Sequence, residues 1–429
     1  MSGKPQSSLR RKLLLGGLAM GTVGAALIAK PSKQGKNHEP YYQQLSGALD
    51  RAQLSQPTMV IDKSILNENI ASLTSHIGNR FDFRIVAKSL PSLPLLEMVM
   101  LGANTNRLML FHQPFLTQVA RKFPHADVLM GKPLPVQAAQ NFYSSLDSQP
   151  AFNSSTQLQW LIDSLPRLKQ YQALAESLNT PMQINIELDV GLHRGGVQQD
   201  QELADMLKLI EADPRLRFSG FMGYEPHIAK LPFDKIKLRD KAMGVYAGKI
   251  AVAEQVLGRS LEGLTLNAGG SPTYRLYNEG NFPHNELAAG SCLVKPTDFD
   301  SPELVDHRPA AFIATPVLKS LQTTELPGID GLGKLMSFWN PNRQQSFFTY
   351  GGYWKAKPES PSGLSVNPLY GRSTNQEMLN GSDNVQLQQD DWVFLRPTQS
   401  ESVFLQFGDI AVYDQGEIVD RWPVLSANA

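Results

Sequence analysis

The sequence predicts an α/β protein: a (β/α)8 barrel followed by a C-terminal β domain. Three observations lead there. From Thr58 to about Val294, short β-prone runs alternate with stretches whose apolar residues recur at helical spacing. Eight such runs follow the first one, the number that closes a parallel barrel. After Asp306 helical periodicity becomes scarce, and Pro, Gly, Asn and Ser punctuate short β-rich runs. An open doubly wound sheet is the competing architecture.

Taken in order, residues 1–30 read as an export signal. Arg10-Arg11-Lys12 precede an uncharged run rich in leucine and small residues that reaches Ala29, and the paired arginines point to the twin-arginine route. The run is short for a spanning helix, so an uncleaved inner-membrane anchor is the alternative. A periplasmic protein is expected. Residues 31–55 read as a polar linker or a first short helix. Residues 56–305 read as the barrel, with a first strand at 58–62 and an amphipathic helix over 65–77. Its further strands fall at 83–87, 106–110, 127–130, 151–153, 183–189, 217–222, 263–267 and 286–294. Residues 306–429 read as the β domain, with β-rich runs at 392–395, 402–407, 410–413 and 417–419. Asp414-Gln415-Gly416 supplies a turn between the last two.

Lysine plus arginine number 40 and aspartate plus glutamate 40, so the formal net charge is zero. That balance argues against a nucleic-acid partner. The single cysteine, Cys292, excludes an intrachain disulfide. A chain of this length buries full cores in more than one domain.

Barrel active sites lie at the C-terminal strand ends, and four unusual clusters fall there. Lys88 ends the run Arg84-Ile85-Val86-Ala87, which delivers an amine to the head of a buried strand; a snorkelling lysine is the bland alternative. Asp189-Val190-Gly191-Leu192-His193-Arg194-Gly195-Gly196 follows the 183–189 strand. Gly223-Tyr224-Glu225-Pro226-His227 follows the next. Asn267-Ala268-Gly269-Gly270-Ser271-Pro272-Thr273 combines glycines with the hydroxyls of Ser271 and Thr273, at a place where a helix is expected to start near Pro272. Such a turn cradles a phosphate, or merely caps a helix. A lysine, a phosphate cradle, an arginine and a Tyr/His pair on one rim together suggest a phosphorylated aldehyde held as a Schiff base. Pyridoxal 5'-phosphate is the natural reading.

On these residues the chain resembles the type III-fold pyridoxal-phosphate enzymes, the alanine racemase-like barrels. Within them it is most similar to the D-threonine aldolase and D-serine dehydratase group. The segments that carry the resemblance are 84–89, 187–197, Tyr224-Glu225-Pro226-His227 and 269–273. The resemblance implies that Lys88 binds the cofactor's aldehyde and later acts as the base at Cα. It implies that Arg194 lies by the ring, that Tyr224 and His227 line the pocket, and that Gly269, Gly270, Ser271 and Thr273 hold the phosphate. It also implies a homodimer.

Members of that group bind a divalent metal through a Pro-x-His-x-Cys or Pro-x-His-x-Asp signature. Here the matching stretch is Pro397-Thr398-Gln399-Ser400-Glu401, so Gln399 and Glu401 stand where metal ligands are usual, and a bound metal is in doubt. The expected activity is a lyase acting on a D-β-hydroxy amino acid. An amino-acid racemase or epimerase is the alternative, with His193, His227 or Tyr224 as the second acid/base. A non-catalytic protein that binds pyridoxal phosphate or a D-amino acid is the third reading.

Overall fold

The computed structural model describes residues 30–146, 151–325 and 332–426. The expected export segment lies outside them. Among the described residues no helix is long and apolar enough to cross a membrane.

The chain divides into two compact units, Thr58–Ile313 with Arg396–Ala429, and Met1–Pro57 with Ala314–Leu395. This division differs from the boundaries expected at 31–55, 56–305 and 306–429. One reason lies in the first strand. β1 (Thr58–Asp62) does not enter the barrel but pairs with the strand Asp409–Asp414, which ties the end of the chain to the barrel unit.

The barrel closes through eight parallel strands: β2 (Asp82–Val86), β3 (Arg107–Leu110), β4 (Asp127–Met130), β5 (Leu158–Ile162), β6 (Met182–Leu188), β7 (Leu216–Gly223), β8 (Thr265–Ala268) and β9 (Glu286–Ala289). β9 returns to β2 with Asp82 opposite Glu286 and Ile85 opposite Ala289. The strand expected at 151–153 is instead β5. Ala151 and Phe152 precede the short helix Ser154–Gln157, capped by the Asn153 side chain. The stretch 286–294 splits into β9 and a helical turn, Ser291–Val294.

Local chemistry explains the connecting helices. Lys63–Ile77 starts where the Asp62 carboxylate accepts the Ile65 N–H at 2.9 Å, and it buries Leu66, Ile70, Leu73 and Ile77 along one stripe. Three further helices, Leu93–Gly102, Gln113–Lys122 and Leu165–Leu178, each carry a proline in the first turn, where no N–H is missed. Lys235–Leu257 is capped by Asp234.

In the other unit, β10 (Ala311–Gln322) continues from the barrel unit and pairs antiparallel with β11 (Gln345–Tyr350). β12 (Ala356–Ser360), β13 (Ser365–Val366), β14 (Gln376–Gly381) and β15 (Trp392–Pro397) complete its strands, with β14 between β11 and β13. The expected linker contains the helix Pro40–Arg51, and Leu332–Trp339 is also helical.

Back in the barrel unit, β16 (Asp409–Asp414) pairs parallel with β1, Met59 opposite Ile410, and antiparallel with β17 (Glu417–Pro423). The run at 402–407 is not a strand. Glu401–Phe404 forms one helical turn that buries the consecutive residues Val403 and Phe404, which strand alternation would have placed on opposite faces.

Candidate active site

Lys88 stands at the barrel head because β2 runs straight into a single 3-10 turn, Ala87–Ser89. Its neighbours Ala87 and Ser89 are buried, and Lys88 itself is half-buried. Its Nζ lies 2.8 Å from Glu401 Oε1 and 4.6 Å from the centroid of the Phe111 ring. An open cavity surrounds this amine, walled by the loops at the C-terminal strand ends.

The floor is polar and fixed. Arg84 is completely buried, with Nε 2.6 Å from Glu286 Oε1 and Nη2 2.9 Å from Glu286 Oε2. Its Nη1 donates to the carbonyls of Leu108 and Asp127 at 3.1 and 2.9 Å. Asn267, which lines the cavity, donates to Glu286 Oε1 at 2.7 Å. The cavity floor is therefore tied to a buried ion pair, the kind whose disruption strands a charge in the core.

One wall consists of two Gly-Ser loops. The Ser271 hydroxyl accepts the N–H groups of Gly290 and Cys292, each at 3.1 Å, and so joins the loop after β8 to the loop after β9. Gly269 has φ +79°, a region that favours glycine. At Gly290 a Cβ would come within 2.5 Å of the Val86 carbonyl, so only glycine lets this loop approach the strand leading to Lys88. The Ser89 and Ser291 hydroxyls, 2.8 Å apart, complete the polar lining. Gly290 and Ser291 were missed in the sequence. Their signal was a Gly-Ser pair directly after a β run, the same pattern as Gly270-Ser271.

Thr273 takes another part than expected. Its hydroxyl donates to Glu225 Oε1 at 2.8 Å, while the Gly269 N–H reaches Glu225 Oε2 at 3.3 Å. Burial pushes the Glu225 carboxyl up, against the pull of these donors. Thr273 thus braces the loop from behind and does not line the cavity. No α-helix starts at Pro272 either. A 3-10 turn, Tyr274–Tyr277, follows, and the N–H groups of Thr273 and Tyr274 both go to the Gly270 carbonyl.

Arg194 lies with its guanidinium 5.3 Å from the Tyr224 ring centroid, and both residues line the cavity. Burial, then Glu225, pushes the Tyr224 phenol up to about 12. A wider recess opens from Lys88, Arg194 and Glu401 past Asp163 and Glu187. Asp163 follows β5 and Glu187 lies within β6, each one step beyond the paired Ile162 and Ile186. Burial and then Asp163 push the Glu187 carboxyl up to about 7, and Arg194 offsets part of that.

The two histidines do not join this group. His193, at φ +55°, is largely exposed, with Nδ1 2.8 Å from Asp189 Oδ2. His227 Nδ1 is buried without a hydrogen-bond partner, and burial lowers its pKa. Neither lines the cavity or the recess. Gln399 and Glu401 also separate: the Gln399 amide donates to Asp298 Oδ2 at 3.2 Å, whereas Glu401 pairs with Lys88. Among the described residues no group of three or more His, Cys, Asp or Glu side chains could hold a metal ion.

Chemically, the arrangement fits a phosphorylated aldehyde. It offers an amine for the carbonyl, loop glycines and hydroxyls for the phosphate, and a cation beside an aromatic wall.

The family model described as the alanine racemase N-terminal domain matches residues 61–297. The 3-hydroxy-D-aspartate aldolase of Paracoccus denitrificans (strain Pd 1222) is 27% identical over 142 residues, 32% of this chain and 35% of that protein. The sequence match thus spans about a third of the relative's length. The fold matches D-threonine aldolase from Filomicrobium marinum with a TM-score of 0.71 at 14% identity, covering 88% of this chain and 96% of that one. It matches D-threo-3-hydroxyaspartate dehydratase from Delftia sp. HT23 at 0.65 and 14%, covering 87% and 98%. Alanine racemase of Clostridium difficile 630 in complex with cycloserine matches at 0.64 and 12%, covering 86% and 98%.

Proposed function

Because the chain belongs to the alanine racemase N-terminal domain family, we propose that it is a pyridoxal-phosphate-dependent lyase acting on a D-β-hydroxy amino acid. The observation that carries this reading is the Lys88 amine at the head of β2, opening into a cavity walled by two Gly-Ser loops. The names of the similar proteins, an aldolase and a dehydratase of such amino acids, support the reaction class.

Bound in this cavity, the cofactor supplies an electron sink that lets a bond at the substrate Cα break. The protein's own groups have separable tasks. The Lys88 amine would hold the cofactor's aldehyde, and it stands where it could take or return a proton at the substrate Cα. Gly269, Gly270, Ser271 and Ser291 would hold the phosphate. Arg194 and Tyr224 form the wall beside the ring, and Phe111 packs against the amine. Racemisation would need a second acid/base across from Lys88. Both histidines lie off the cavity, whereas Tyr224 lines it; the aldolase and dehydratase names of the similar proteins favour the lyase. The Arg10-Arg11 pair and the apolar run after it support a periplasmic site of action.

The test is product analysis. Purified protein supplied with pyridoxal phosphate is incubated with D-serine and with D-threonine. Keto acid or aldehyde is the expected product; mirror-image amino acid alone would replace the lyase with a racemase.

A further inference from the structure

Glu401 carries a carboxylate 2.8 Å from Lys88 Nζ. It is held there by structure on both sides. Upstream, Arg396 clasps the Lys295 carbonyl and Asp300, and the Asp298 N–H donates to the Thr398 carbonyl at 3.1 Å. Downstream, Val403 and Phe404 are fully buried. The backbone that carries the carboxylate is therefore anchored, and the side chain, 44% exposed, lines the cavity together with Tyr224 and Phe299.

A substrate amino nitrogen placed where Lys88 Nζ lies would have its Cα one bond away and its Cβ two. A carboxylate at hydrogen-bond distance from that nitrogen stands within reach of a substituent on Cβ. We propose that Glu401 is the specificity-determining residue of the site, accepting a hydrogen bond from a β-hydroxyl and repelling a β-carboxylate. The inference rests on the lyase reading and narrows it. The substrates are D-β-hydroxy amino acids with a neutral side chain, such as D-serine or D-threonine, and acidic ones such as 3-hydroxyaspartate are excluded. Asp163 and Glu187 add two carboxyls to the recess beyond Glu401, which Arg194, Lys132 and His112 also line.

The full chain, loaded with pyridoxal phosphate in the presence of EDTA, is titrated with D-serine, D-alanine and D-threo-3-hydroxyaspartate. The shift of the visible absorption band reads binding, not turnover. D-Serine is expected to shift the band at a concentration at least about tenfold below that needed for the acid. Glu401→Gln should narrow that ratio to about threefold, mainly by gaining affinity for the acid. Glu401→Ala should also lose the preference for D-serine over D-alanine, because the hydroxyl loses its acceptor. The band itself reports that each variant is folded with Lys88 intact. Equal or tighter binding of the acid by the unaltered protein, or an unchanged ratio in Glu401→Gln, overturns this inference alone. A band that no amino acid shifts overturns the lyase reading and this inference with it.

Discussion

Replacing Glu187 with glutamine probes the electrostatics of the recess. Burial first, and Asp163 second, lift the Glu187 carboxyl from its ordinary 4.5 to about 7. In the unfolded chain the group titrates near its ordinary value. The folded protein therefore binds this proton more tightly than the unfolded one. The associated stability is fully present below about pH 4.5 and is lost as pH rises through about 7. The gap between 4.5 and about 7 corresponds to about 3 kcal/mol at full burial. Solvent reaching the open recess lowers the expectation to roughly 2 kcal/mol. Glutamine has no charge to bury, so Glu187→Gln should gain roughly 2 kcal/mol on the unaltered protein between pH 5 and pH 8. The assay is urea unfolding of cofactor-free protein at both pH values, followed by tryptophan fluorescence. A difference between the two proteins that stays constant with pH, or moves against the variant at pH 8, would refute the reasoning.

Two other substitutions test the floor and the wall. Glu286→Ala removes the carboxylate that meets Arg84 at 2.6 and 2.9 Å in a fully buried setting. It should cost about 3–5 kcal/mol, seen as a large fall in the urea midpoint; a loss below about 1 kcal/mol would mean that Asp127 alone suffices for Arg84. Ser271→Ala strands the N–H groups of Gly290 and Cys292. It should cost about 1–3 kcal/mol and weaken cofactor retention on dialysis; unchanged retention would separate these loops from the phosphate.

The barrel was legible because its strands are buried on both faces and read as short apolar runs between helical patterns. β5 escaped for a physical reason. Gln159 interrupts Leu158-Gln159-Trp160-Leu161-Ile162, and in the fold it is 5% exposed inside the barrel, donating to Thr265 Oγ1 at 2.8 Å and accepting from Asn185. A polar layer in a barrel interior looks, in one dimension, like a surface position. The place of β1 was not readable at all, since its partner β16 lies about 350 residues away and only closure of the fold brings them together. Lys88, Arg194, Tyr224 and the Gly269 turn were singled out by their strand-end positions, and they line one cavity. His193 and His227 were drawn in by the same rule and fall outside the cavity, because a loop can carry a side chain away from the rim it starts on. Glu401 was seen only as a changed metal ligand. Its pairing with Lys88 joins positions more than 300 residues apart, and no spacing in the chain encodes that.

The most direct test is where the cofactor attaches. The full chain is incubated with pyridoxal phosphate, reduced with borohydride, digested and analysed by mass spectrometry. A phosphopyridoxyl group on the peptide containing Lys88 is the predicted result. An unmodified Lys88, with the group absent or carried by another lysine, would contradict the account.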